Sequence, residues 1–200
     1  MHKNTRRFAY LTVFVTMEIL FAVVPFLGFI PLGVINATTM HLPVILAGIL
    51  LGPKEGALLG FIFGLSSFLK ATFQPGLSSF LFTPFYGAGN ASSLLIAFVP
   101  RILIGVVSGV LYRTLKGKLN DTLSLGIASF SGAFINTALV MGMAFLFFKD
   151  AYAQYLGIAP AAVGGVILSI VFTNGIAEAL VAVVVGIVIG KLGQRMIKGI

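Results

Sequence analysis

Cysteine is absent from these 200 residues, which excludes disulfides, thiolate metal sites and cysteine nucleophiles. Charge is scarce: only 9% of residues are Asp, Glu, Lys or Arg, and only five of those are acidic. The few carboxylates do not fall as a pair at one candidate site, as general acid–base work would require. Several motifs are missing as well. No GxxxxGK[ST] loop is present to cradle ATP phosphates, and neither GxSxG nor HExxH occurs. The expectation is a protein that is not an enzyme, with no metal and no cofactor of its own.

What the chain does have is apolar length. It is 58% apolar, with 24 Gly and 19 Phe, and its mean hydropathy is +1.10. Several stretches approach the roughly 20 apolar residues that cross a hydrocarbon core. Without water to satisfy the backbone, only helices or a closed barrel can span. Barrel strands alternate in polarity over about 10 residues; these runs are longer and apolar on all sides, so helices are expected. The fold class read from sequence is therefore all-α: one integral membrane domain over 1–200 with six transmembrane helices, at about 8–30, 37–52, 56–73, 94–112, 122–148 and 161–190. The apolar run near the N-terminus carries no small-residue cleavage pattern and reads as a retained first helix. Segments 28–40, 74–93 and 149–160, with their Gly, Pro and Asn residues, read as loops. Gly52-Pro53-Lys54-Glu55-Gly56 reads as a tight reversal.

A formal charge of +8 and a pI near 10.1 would suit nucleic-acid binding only if the cations formed a stripe. Instead they cluster between apolar spans. With six helices, Lys3, Arg6, Arg7, Lys54, Arg113, Lys116, Lys118, Lys191, Arg195 and Lys198 share one side; Lys70 and Lys149 lie on the other. Ten against two is a positive-inside bias. It assigns both termini to the cytoplasm of a multi-pass membrane protein, with the three longest connections outside.

Glu18, Arg101 and Glu178 fall inside predicted spans. Each costs about 2.5–3.5 kcal/mol at the centre of a lone helix, so each is expected to face inward with a partner. One reading is an Arg101 pair with Glu18 or Glu178 that fixes packing. The other is Arg101, about 10 Å below the outer end of its helix, presenting charge to a ligand. Pro100 adds to the second, because its missing N–H frees the carbonyl of Ile96. Asn136, Asn174 and His41 are open to either structural or ligand roles. Gly56, Gly60 and Gly64, Gly105 and Gly109, and Ala182, Gly186 and Gly190 repeat a small-xxx-small spacing. Internal packing is the ordinary use of such faces. Candidate rows for docking a membrane partner are Ala9, Thr12 and Thr16, and Gly186 with Gly190.

Residues 36–75, NATTMHLPVILAGILLGPKEGALLGFIFGLSSFLKATFQP, resemble the substrate-specific S components of energy-coupling factor (ECF) vitamin transporters, a class of ABC importer. AFVPRILIGVVSGVLY at 97–112 and NTALVMGMAFLFF at 136–148 are similar to the same family. The resemblance extends over most of the chain and is nearest to pantothenate-type or hydroxymethylpyrimidine-type members. It implies six helices, one vitamin bound near the outer face, and an ECF module of a membrane scaffold subunit plus two ATPase subunits that use the ATP. The family's docking signature on helix one is an alanine ladder; here Ala9 is followed by Thr12 and Thr16, a loose match.

With pantothenate as ligand, Arg101 and Lys70 answer a carboxylate, while Asn36, His41, Asn136 and Asn174 answer hydroxyl and amide groups. Phe73, Phe80 and Tyr86 are the candidate lid. A neutral pyrimidine would instead lean on the aromatics and asparagines. Two further classes stay open: a non-transport membrane scaffold protein, which needs no polar cavity, and a proton-coupled carrier built on Glu18 and Glu178.

Overall fold

The computed structural model describes residues 3–24, 28–32 and 35–197, with the backbone alone for 3, 4, 29–32, 35–37 and 197. The chain runs through α1 (Lys3–Val23), β1 (Phe29–Leu32), β2 (Ile35–Thr38), α2 (His41–Leu50), α3 (Pro53–Phe73), α4 (Ala91–Leu115), α5 (Asp121–Leu156), α6 (Val163–Ile170) and α7 (Ile176–Ile197). A five-residue π-helical turn, Val171–Gly175, joins α6 to α7. Four helical stretches among the described residues are long and apolar enough to cross a membrane: α3, α4, α5, and the continuous run Pro160–Met196.

The exterior is apolar, unlike that of a protein that folds in water, and polar and charged groups are set into an otherwise apolar core. Phe8, Val23, Leu146, Val184 and Met196 are all exposed, whereas Glu18, Ser93, Arg101, Ser108, Asn136, Thr137 and Glu178 are buried. Lipid tails accept the first set, whereas the second needs protein partners; contrary to expectation, Glu18 has none among the described residues. Thr12 and Thr16 show how a lipid-facing helix carries hydroxyls at no cost. Each donates to the carbonyl four residues back, at 3.0 Å to Phe8 and 2.9 Å to Thr12.

α4 is the central helix, packed against α2, α3 and α5, while α1 lies outside against α2 and α3. The expected glycine faces meet here. A Cβ at Gly105 would overlap the backbone of Gly56, and one at Gly48 would overlap the Gly105 carbonyl. Three helices thus touch backbone to backbone at one level. Gly60 and Gly64 continue the contact upward, against Arg101 and Ala97. Gly52, at φ +133°, turns the chain from α2 into α3, and Pro53 opens α3 where its missing N–H is harmless.

The basic end of the bundle is tied by polar contacts. Arg7 pairs with Glu55 at 2.6 Å, and both Arg7 (3.3 Å) and Arg113 (3.2 Å) donate to the Leu51 carbonyl at the end of α2. Those guanidinium groups satisfy a helix C-terminus that has run out of its own donors.

Several sequence expectations are corrected. The segment 28–40, read as a loop, contains an antiparallel hairpin in which Phe29 pairs with Thr38 and Leu32 with Ile35, so the fold is helical with a small two-stranded sheet. Helix one, expected at 8–30, ends at Val23; residues 25–27 of that expectation lie outside the described part. Helix two is ten residues rather than 37–52, because β2 occupies its expected first turn. At about 15 Å it covers half a hydrocarbon core. α3 starts at Pro53, three residues before the expected 56. α4 also begins early, at Ala91, where Asn90 and Ser93 form a reciprocal capping box. α5 continues through Lys149 to Leu156 across a kink at Phe148, where φ is −134°. The expected third loop shrinks accordingly, and Gly157, at φ +66°, ends the helix. The last helix runs on past Gly190 into the basic tail.

Candidate ligand-binding cavity

One cavity of about 540 Å³ opens among α3, α4, α5 and the π-helical turn. That size suits a small organic solute. Its floor carries the charges. Arg101 and Glu178 both line it, with Asn136, Thr137, Asn174 and Thr38 between them. Phe63, Phe82, Val140 and Met141 supply apolar wall. Exposed Lys70, Gln74 and Gly76 stand at the mouth, beside Ser78 and Ser79.

Arg101 is placed by the proline that precedes it. Pro100 has no N–H for the Ile96 carbonyl, and Arg101 Nη1 donates to that oxygen at 2.9 Å. Its guanidinium carbon then sits 5.3 Å from the Phe63 ring centroid and 4.8 Å from that of Phe82. Two aromatic faces and one carbonyl hold the cation rigidly. The Nε atom is buried and has no protein partner. Arg101 and Glu178 form no direct salt bridge among the described residues, although each lies in the other's electrostatic field within the cavity they both line.

Glu178 is held separately. It accepts from the Thr38 backbone N–H at 2.9 Å and from the Thr137 hydroxyl at 3.0 Å. It thereby ties the hairpin and α5 to α7. The π-helical turn directly before α7 widens the helix at Asn174, which accepts from Thr173 at 3.1 Å; such turns recur at functional positions. Asn136 Oδ1 is buried without a partner. Arg101 Nε and Asn136 Oδ1 are thus both buried without a partner among the described residues, a cost of about 1–3 kcal/mol each, and both residues line the same cavity.

The loop over the cavity is anchored rather than loose. Ser93 donates to the Phe80 carbonyl at 2.7 Å, Thr72 and Thr83 hydroxyls meet at 2.8 Å, and Gly76 N–H donates to Ser79 Oγ at 2.9 Å. The Phe80 ring packs edge-on to Phe148 at 5.7 Å and to Tyr155 at 6.3 Å. Truncating such a ring removes on the order of 3 kcal/mol or more of packing. Phe80→Ala is expected to speed amide hydrogen exchange over residues 76–83 by at least about tenfold, with α4 amides unchanged.

Of the residues proposed from sequence, Lys70, Arg101, Asn136 and Asn174 come together in the cavity. His41 is buried at the start of α2 and Phe80 is buried against α5, while Phe73 is 77% exposed and Tyr86 is partly exposed; none of these four lines it. The side chain of Asn36 lies outside the described part. Gly186 and Gly190 are not on the surface as a docking row would require, since they pack against Ser129 and Leu125 of α5. Ala9, Thr12 and Thr16 are exposed along α1. Glu18 is buried on α1, away from the cavity lining. Sequence reasoning gave no ligand role to Glu178, Thr137, Phe63 or Phe82. The four-residue spacing of Asn174 and Glu178 was the signal for the first; Phe82, in a loop, gave none.

An apolar-surfaced helical bundle enclosing a polar cavity beneath an anchored loop has the form of a membrane-embedded protein that binds a small solute. The family model described as ECF transporter, substrate-specific component, matches residues 6–190, and the chain belongs to that family. It is similar to the pantothenic acid transporter PanT of Lactococcus lactis subsp. cremoris, at 38% identity over 155 residues, covering 75% of this chain and 74% of that one. It is also similar to the pantothenate transporter PanT of Leuconostoc mesenteroides subsp. mesenteroides, at 31% identity over 200 residues, covering 96% and 93%.

Proposed function

We propose that this chain is the S component that captures pantothenate at the outer face of the bacterial plasma membrane for ATP-driven import by an ECF module. The observation that carries the choice of ligand is Arg101, a buried cation held between Phe63 and Phe82, lining the same cavity as the amides of Asn136 and Asn174. Pantothenate offers a carboxylate at one end, an amide in the middle, and at the other end two hydroxyl groups flanking a dimethyl carbon. In this reading the carboxylate meets Arg101, with Lys70 adding charge at the mouth. Asn136, Asn174 and Glu178 receive hydroxyl and amide N–H groups, and Phe63, Val140 and Met141 receive the methyls. The two PanT relatives support the same ligand. A neutral hydroxymethylpyrimidine fits less well, because Arg101 already occupies a face of both Phe63 and Phe82.

A six-crossing topology with cytoplasmic termini accounts for the cation distribution, with α1 adding a span to the four longer ones and α2, which covers half the hydrocarbon, making the sixth crossing together with the hairpin before it. The chain then has no enzymatic step and no ATP of its own. The scaffold subunit and two ATPases do that work. The exposed row Ala9, Thr12 and Thr16, flat and with its hydroxyls satisfied, is the docking face on this side of the partnership.

Calorimetric titration of the purified protein with a vitamin panel tests the ligand. One saturable site for pantothenate, with no heat from hydroxymethylpyrimidine, is expected; the reverse result rejects the reading. Asn136→Ala is expected to weaken pantothenate by about tenfold, the loss of one hydrogen bond to a buried acceptor.

A further inference from the structure

A second recess lies at the basic end, away from the vitamin cavity. It measures about 360 Å³ and is lined by Thr122, Leu123, Gly126, Phe130, Val183 and Ile187, with Ile127 and Ser131 at its edge. Its walls are almost wholly apolar, and it lies between α5 and α7 on the outside of the bundle. Gly126 opens it: a Cβ there would stand 3.5 Å from Ile187 and 3.7 Å from Val183, so glycine leaves a slot where other residues would close it. At the basic end of the slot stand cations. Lys191 lies one helical turn beyond Ile187, and Lys118 lies in the turn that leads into Thr122. Both are exposed, as is Arg195 one turn further on. The nearby acid, Asp121, is engaged by the Tyr112 hydroxyl at 2.8 Å and by Gln194 at 3.3 Å. Three cations (Lys118, Lys191 and Arg195) stand against this one carboxylate, so the net local field is positive, and the N-terminus of α5 adds to it.

We propose that this recess is a binding site for an anionic phospholipid of the cytoplasmic leaflet. One acyl chain lies in the slot along Gly126, Phe130, Val183 and Ile187, and the phosphate meets Lys118 and Lys191. The chemistry at the two ends selects the occupant. A hydrocarbon groove open to the bilayer takes an acyl chain, and a cationic rim at the headgroup level takes an anionic head over a zwitterionic one. Neither part belongs to the vitamin site, so the proposal stands whichever solute the cavity binds.

The test is native mass spectrometry of protein recovered from nanodiscs of equimolar phosphatidylglycerol and phosphatidylcholine. The full-length protein is expected to retain phosphatidylglycerol at least tenfold over phosphatidylcholine. Lys118→Gln with Lys191→Gln should abolish that preference, and Gly126→Leu should reduce retention of both lipids. Equal retention by the unaltered protein, or an unchanged preference in the double lysine variant, overturns the site. A photo-cross-linking residue at Ile127, irradiated in native membranes, gives an independent reading. Lipid adducts support the proposal, and a predominant protein adduct assigns the groove to a partner helix and overturns it.

Discussion

Arg101→Gln is expected to weaken pantothenate binding by at least about 30-fold while leaving the folded protein recoverable. Removing one partner of a buried, hydrogen-bonded charge pair costs about 2–5 kcal/mol, and each 1.4 kcal/mol is tenfold in Kd. Glutamine keeps a donor for the Ile96 carbonyl, so the local helix retains what Pro100 took away. What it removes is the cation between Phe63 and Phe82. Arg101→Lys should also bind weakly, by about tenfold, because an ammonium cannot span two rings and a carbonyl while presenting a planar fork to a carboxylate. Calorimetry on the three proteins checks both values. Equal affinity across the series would remove Arg101 from the site.

Gly105→Leu is expected to have the largest effect on folding. Its side chain would be built into the backbone of Gly56, and backbone cannot step aside as a flexible side chain can. Overpacking a core costs about 1–3 kcal/mol in ordinary cases, and a helix-to-helix backbone contact lies at or above the top of that range. Thermal unfolding in detergent should fall by about 10 °C or more, or the protein should not be recovered at all. Gly142→Leu is the control, since nothing stands within 4 Å of a Cβ there. Matching melting curves for the two variants would contradict the account of α2, α3 and α4 meeting at glycine.

Those two residues also mark what was legible in the sequence. Four-residue glycine spacing has one strong structural use in a membrane, and the Gly56 and Gly105 faces put it to that use against each other. Pro100 announced a free carbonyl, and an arginine beside it in an apolar run announced a buried cation. Asn136 and Asn174 were legible for the same reason, as polar groups that lipid will not solvate. The hairpin was not legible, because FIPL and INAT are too short and too rich in turn-formers to show an alternation. The continuation of α5 past Phe148 was hidden by Lys149 and Asp150, which look like a helix exit but here ride on a helix that runs on to Leu156. Gly186 and Gly190 misled because spacing says that a face is flat, never which neighbour it meets; here the neighbour is α5. Phe80 was read as a lid from its place in a loop, whereas its ring is what fastens that loop to Phe148 and Tyr155.

The most direct test of the ligand assignment pairs a change in the protein with a change in the vitamin. Pantothenate and pantothenol, in which a hydroxymethyl group replaces the carboxylate, are each titrated into the unaltered protein and into Arg101→Gln. The account predicts that the unaltered protein prefers pantothenate by at least about 30-fold and that the variant shows almost no preference. The same preference in both proteins would contradict it, because the carboxylate would then be recognised somewhere other than Arg101.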